Sequence, residues 1–309
     1  MERSVRFRSD GLSLSGILRL PDGLRPGERR PAFIVLHGFG SNKKAGNVLK
    51  PVQMLSELGY ATFRFDMRGC GESEGERGRL ICTEQVSDTR AALSVVASQP
   101  EVEADRIGLL GSSFGAAVAV YTAGVDERVA CVVSSGGWGN GERKFRGQHA
   151  TPDAYARFLA MLQEGRRHKE ATGESLRVSR YDIVPIPDHL RGHLIEGSIL
   201  TFPVETAQSM FDFRAEDVVG NIAPRPLLLL HSSEDSVTPT EQSMAMYERA
   251  GQPKDLHLFA ETDHFMFDES NTRVRTVVVD WLGRFFPVDR KEGQSVPRRG
   301  LHAGTANPA

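Results

Sequence analysis

Gly111-Ser112-Ser113-Phe114-Gly115 is the stretch of this chain whose residue types most directly suggest chemistry. A serine hydroxyl is a weak nucleophile until a base takes its proton and the backbone exposes it. The G-x-S-x-G spacing meets the second need. The apolar residues 107–110 precede it and the small residues 116–120 follow it. A strand is therefore expected to end, turn sharply at Ser113 and give way to a helix. Glycines on both sides let strand and helix approach without an intervening Cβ. The new helix offers free N–H groups and a positive dipole end to a developing anion. A plain glycine-rich turn with an ordinary serine would carry the same five residues, so the rest of the chain must decide.

Three further stretches bear on it. Residues 31–36 read as a buried strand running into the tight turn His37-Gly38-Phe39-Gly40. Acyl transfer needs two N–H donors aimed at the oxyanion. The turn supplies one, assigned to Phe39, and the residue after the serine, Phe114, supplies the other. Residues 226–232 form a leucine-rich run followed by Glu234 and Asp235, and a later apolar run ends at Asp263-His264. Serine, acid and histidine thus follow one another, each at the carboxyl end of an expected strand, where open parallel sheets place their ligands. Asp235 is the preferred acid and Glu234 the alternative. His264 is the preferred base. His37 reads as a structural residue of its turn, and His231 as a satisfied histidine at a strand end.

These motifs, with Asp66-Met67-Arg68-Gly69-Cys70-Gly71-Glu72-Ser73 and the Asp235-Ser236-Val237-Thr238-Pro239 stretch, resemble the α/β-hydrolase superfamily. The likeness spans most of residues 1–287 and lies nearest the serine-hydrolase branch of carboxylesterases, cinnamoyl and feruloyl esterases and monoglyceride lipases. The resemblance implies an α/β fold, a mostly parallel twisted sheet flanked by helices, with a cap inserted after the sixth strand. It implies catalysis by Ser113, His264 and Asp235 through an acyl-enzyme, with Phe39 and Phe114 as oxyanion donors. A carboxylic ester of small to medium size is the expected substrate. A peptidase or amidase, a thioesterase or a carbon–carbon hydrolase would use the same residues. A non-catalytic ligand receptor on the same fold is the reading from another class.

The elements that must position these groups follow from periodicity. Residues 4–8 and 12–20 read as a hairpin across Asp10-Gly11. Strands at 32–37, 60–66, 106–112 and 129–135 alternate with helices near 45–58, 83–98 and 114–123, the signature of a parallel sheet. The alternation resumes with strands 226–232 and 255–260 and helices 239–250 and 271–285. The expected organisation is a core over 1–136 and 216–287, a cap over 137–215 and a polar, disordered tail over 288–309. The gap between strands 129–135 and 226–232 is too long for a plain connection. Within it, 151–172 fits an amphipathic helix with Thr151 as N-cap and Pro152 in the first turn. Residues 181–187 are expected to be extended because of their prolines. Residues 201–213 read as a loop and short helix returning to the core.

Substrate choice is the least legible property. Trp138, Phe202, Met210 and Phe211 are candidates for an apolar pocket, or else they fasten the cap to the core. Arg143, Lys144 and Arg146 cluster after the sixth strand, in a segment with more Lys/Arg than Asp/Glu. One of these three, with Arg143 taken as the site residue, would suit a substrate carboxylate, which a guanidinium binds well. The 309-residue chain carries a net charge of −2, which gives no reason to expect nucleic acid or an acidic membrane surface. Cys70, Cys82 and Cys131 show no metal or redox spacing, so reduced thiols and a cytoplasmic setting are expected. No signal core, membrane-spanning run, metal cluster or nucleotide fingerprint stands out. The expectations are therefore a small-molecule ester-like substrate, no cofactor, no metal and no membrane insertion. A homodimer remains open, as it is common in the superfamily.

Overall fold

The computed structural model describes residues 1–267 and 271–289. Strands β1 (Glu2–Ser9) and β2 (Leu12–Arg19) form the expected hairpin, followed by β3 (Arg30–Leu36) and helix α1 (Gly46–Glu57). Strand β4 (Ala61–Phe65), helix α2 (Cys82–Ala97) and strand β5 (Val102–Ser112) come next. Helix α3 (Phe114–Val125) leads to β6 (Val129–Ser135). The long connection then holds α4 (Gly141–Gln148), α5 (Pro152–Thr172), β7 (Arg177–Ser179), α6 (Arg180–Ile183), β8 (Thr201–Pro203) and α7 (Val204–Asp212). The core resumes with β9 (Leu227–Ser232), α8 (Glu241–Arg249), β10 (Lys254–Phe259) and α9 (Thr272–Phe285).

Eight strands share one sheet in the order β1-β2-β4-β3-β5-β6-β9-β10. The β1–β2 and β2–β4 pairs are antiparallel and every other pair is parallel. Strands β3 to β6 and β9 are buried almost throughout, which is why they read as continuous apolar runs rather than alternating ones. One apolar cluster on the α2–α3 side continues into α5 and α7. The other joins α1 and α9 around Phe33, Tyr60, Trp281 and Phe286.

The structure departs from the sequence expectations in the connection and at the C-terminal end. Residues 141–148, to which the sequence assigned no element, form a helix capped by the Asn140 side chain, which accepts from the Arg143 amide. The stretch expected to be extended opens with a helical turn, α6, capped by Ser179. Pro185 and Pro187 restrict themselves and the residues just before them, leaving 180–183 unconstrained. Thr151 does cap α5, accepting from the Ala154 amide at 3.2 Å. The core also runs slightly past the expected boundary. Val288 packs against it, and Arg106 donates to its carbonyl at 3.1 Å. The rest of the expected tail, 290–309, lies outside the described residues. Among the described residues no helix is long and apolar enough to cross a membrane.

Candidate active site

Ser113 sits between β5 and α3 with φ 55° and ψ −115°, a conformation that L-residues rarely adopt. The flanking glycines show what the turn demands. A Cβ on Gly111 would stand 2.2 Å from the Gly115 carbonyl oxygen, and one on Gly115 would stand 2.6 Å from the Leu36 and His37 oxygens. These contacts are backbone against backbone, so no rotamer change relieves them. The turn is held by the Ser113 amide, which donates to the Ser135 carbonyl at 2.8 Å.

Three chain segments meet there. Ser113 Oγ lies 2.8 Å from His264 Nε2, and His264 Nδ1 lies 2.8 and 3.0 Å from the two Asp235 oxygens. With Nδ1–H donating to Asp235, Nε2 is left to accept the serine proton. The acid in contact is Asp235, whereas Glu234 is exposed. Asp235 also accepts from the Val237 and Thr238 amides at 2.8 and 2.7 Å, which explains the residues that follow it. Burial pushes its carboxyl up, but the His264 charge and hydrogen bonds from His231 and His264 outweigh this and hold it well below the usual range. Gly136, at φ 62°, packs beside the ring, where a Cβ would come within 3.3 Å of the imidazole.

The same geometry settles the other histidines. His37 Nδ1–H donates to the Gly38 carbonyl at 2.8 Å, and its Nε2 accepts from the Met67 amide at 3.2 Å. Burial lowers its pKa, so the neutral ring serves as a brace beneath its turn. His231 is satisfied by Ser243 and the Thr238 carbonyl, and its Nε2 also stands 3.3 Å from Asp235. That contact was invisible in a leucine run, although the four-residue spacing to Asp235 was the available signal.

Phe114 follows the serine directly, and its ring lies 6.1 Å from that of Phe39. Phe114 opens α3, where first-turn amides have no acceptor within the helix. Among the described residues the Phe39 amide donates to no backbone carbonyl. Gly38 stands close by, with a Cβ there 3.8 Å from the Ser113 Cβ. The Asp66 motif lies underneath as a brace. Asp66 accepts from the Lys43 amide, the Lys43 ammonium and the Glu72 amide, and the Gly71 Cα packs against its carboxylate.

The five candidate pocket residues divide. Phe202 stacks on Phe39 with centroids 4.3 Å apart, and Trp138 tilts against Phe114 at 5.7 Å. Both therefore pack on the two segments that meet at the serine. Met210 is buried in α7, and Phe211 packs on Phe145 and Phe158, so both fasten the connection together. Arg143 is a correction. Its guanidinium is paired with both oxygens of buried Glu216 and is not free for a substrate. Sequence reading overlooked Arg180. It is 4% exposed, donates to the Phe39 carbonyl at 2.6 Å and the Ile199 carbonyl at 2.9 Å, and lies 5.1 Å from the Phe39 ring. Burial lowers its pKa to about 10. Of the cluster named with Arg143, Lys144 turns inward, its ammonium against the Trp138 and Phe145 rings. Among the described residues no group of three or more His, Cys, Asp or Glu is placed to hold a metal ion.

Known proteins share this architecture. A 31.7 kDa protein of Escherichia coli, from the traX-finO intergenic region, is 30% identical over 285 residues, covering 89% of this chain and 96% of that protein. The crystal structure of PA2218 from Pseudomonas aeruginosa superposes with a TM-score of 0.77 at 23% identity, over 92% of this chain and 94% of that one. The monoacylglycerol lipase of Paleococcus ferrophilus does so with a TM-score of 0.65 at 22% identity, over 87% and 98%. The model of the family described as serine aminopeptidase, S33, matches residues 27–271. With that match spanning the Ser113 turn, the 37–40 turn and most of the sheet that carries them, this chain belongs to the serine aminopeptidase S33 family of α/β hydrolases.

Proposed function

We propose that this protein is a serine hydrolase that cleaves carboxylic esters through an acyl-enzyme on Ser113. The observation that carries the reading is the continuous hydrogen-bonded line from Ser113 Oγ through His264 to Asp235, ending at a strained turn. As Oγ attacks the acyl carbon, His264 Nε2 takes its proton, and Asp235 holds the ring and stabilises the imidazolium. The Phe39 and Phe114 amides receive the oxyanion, each contributing about 3–4 kcal/mol in comparable sites. The tetrahedral intermediate collapses as His264 returns the proton to the leaving alkoxide. Water, activated by the same imidazole, then attacks the acyl-enzyme and frees the acid and Ser113.

Residues 137–215 act in this reading as a cap. Phe202 and Arg180 reach from it to the oxyanion turn. The lipase among the structural neighbours lends support to an ester bond. An aminopeptidase would need a carboxylate for the substrate amine, and the buried acid Glu216 is already held by Arg143 and Asn140. Three buried, unpaired thiols fit a reducing compartment such as the cytosol.

The test is a series of p-nitrophenyl esters from acetate to decanoate, with Ser113→Ala as control. Saturable turnover that falls by several orders of magnitude in the variant is the expected result. A folded wild-type protein with no turnover, or a variant that retains it, would reject nucleophilic ester hydrolysis. The preferred chain length would size the space under the cap.

A further inference from the structure

Behind the wall of the site, two buried hydrogen-bond donors have no acceptor. Lys144 on α4 is 2% exposed, and among the described residues its ammonium makes no hydrogen bond or ion pair. Its Nζ stands 5.0 Å from the centroid of the Trp138 ring and 3.8 Å from that of Phe145. The Nε1–H of Trp138 is also buried without a partner. Both groups only donate. They belong to the surroundings of the serine, because Trp138 packs on Phe114, the residue after Ser113.

The neighbouring cations do not share this position. Arg143 is bound to Glu216, and Arg146 lies over Tyr155 and pairs with Glu142. Lys144 is the member of the cluster that turns inward. An ammonium held almost wholly out of water without an acceptor is costly, and ring faces offset only part of that cost. A methionine of similar length would fill the same space without the penalty. What the arrangement lacks is an anionic oxygen acceptor.

We propose that Lys144, with the Trp138 indole N–H, recognises a carboxylate on the substrate, which makes the preferred substrate a half-ester of a dicarboxylic acid. The carboxylate stays unreacted and fixes the chain, while the ester carbonyl at its other end meets Ser113. The proposal rests on the ester-hydrolase reading. It also moves the expected carboxylate contact from Arg143 to its neighbour.

The experiment compares monoethyl adipate with ethyl hexanoate, followed by pH-stat, in the wild type and in Lys144→Met. The wild type should favour the half-ester by at least 10-fold in kcat/KM, and the ratio should fall at least 10-fold in the variant. Equal ratios in the two proteins, or no preference in the wild type, would overturn the proposal. A second measurement needs no turnover. Adipate should raise the Tm of Ser113→Ala protein and leave that of the Ser113→Ala/Lys144→Met double variant unmoved. An equal shift in both, or a shift in neither, would count against Lys144. If the wild type hydrolyses neither ester, the ester reading fails, and the Tm comparison still judges the carboxylate site by itself.

Discussion

Ser113 is held in its unusual backbone conformation by neighbours that leave no space to relax, and this makes its surroundings sensitive to single atoms. Gly115→Ala places a methyl 2.6 Å from the backbone oxygens of Leu36 and His37. It should cost about 1–3 kcal/mol or more, as overpacking does. Denaturant melts and ester turnover should fall together. Asp235→Asn should keep the fold but supply the wrong hydrogen-bond donor to His264, with kcat falling roughly 10⁴-fold as in a comparable triad. Acid sensitivity follows from the same residue. Its native carboxyl is held below its ordinary value, so the stability it contributes is present above the unfolded value, near pH 4, and is lost as pH falls. Asp235→Asn should flatten that acid limb in melts run between pH 3 and 6. At this scale the sequence was legible wherever chemistry restricts the residue type, as at Ser113, Asp235 and His264. It was opaque for Arg180 and for which of Arg143, Lys144 and Arg146 turns inward, since nothing local distinguishes an inward-turned cation from a solvated one.

The elements differ in how openly they announce themselves. Helix α5 was readable from Thr151, Pro152 and its spacing of apolar residues, and Thr151→Ala should cost about 1 kcal/mol in a urea melt. Helices α4 and α6 were not readable, because an eight-residue segment rich in charge or a single turn beside prolines carries no periodicity to detect. Yet α6 brings Arg180 to the 37–40 turn. The Ile199 amide adds a hydrogen bond to the Gly40 carbonyl at 2.8 Å, so this strap is tied to the turn twice by hydrogen bonds and once by the Phe202 ring. Arg180→Lys removes the planar fork that spans the Phe39 and Ile199 carbonyls. In the acyl-enzyme reading it should lower kcat about 10-fold with a smaller change in KM. A purely structural role would instead lower Tm and leave kcat intact.

At the scale of the whole molecule, the parallel sheet was the most legible feature, because strands covered on both faces must be apolar throughout. The path of the long connection was the least legible, since its course depends on contacts between residues far apart in sequence. Lys144 also leaves a signature on global stability. Burial lowers its pKa to about 7, and the charged or titratable groups facing it are Cys82 on α2, Asp235 after β9 and His149 at the end of its own helix. The unfolded chain therefore binds an extra proton between about pH 7 and the ordinary lysine value near 10.4. Stability should rise across that window by up to about 1.4 kcal/mol per pH unit, a slope that Lys144→Met should abolish in denaturant titrations.

The sheet register carries a consequence of a different kind. Strands β6 and β9 pair directly, Val132 beside Leu227, so the two ends of the long connection are already neighbours. A loop closed by the sheet itself grows at a cost that rises only with the logarithm of its length. Descendants of this gene can therefore lengthen, shorten or replace the segment while inheriting the hydrogen-bonded line of Ser113, His264 and Asp235 untouched. Diversification would then act on a cassette whose exchange leaves the machinery beneath it in register.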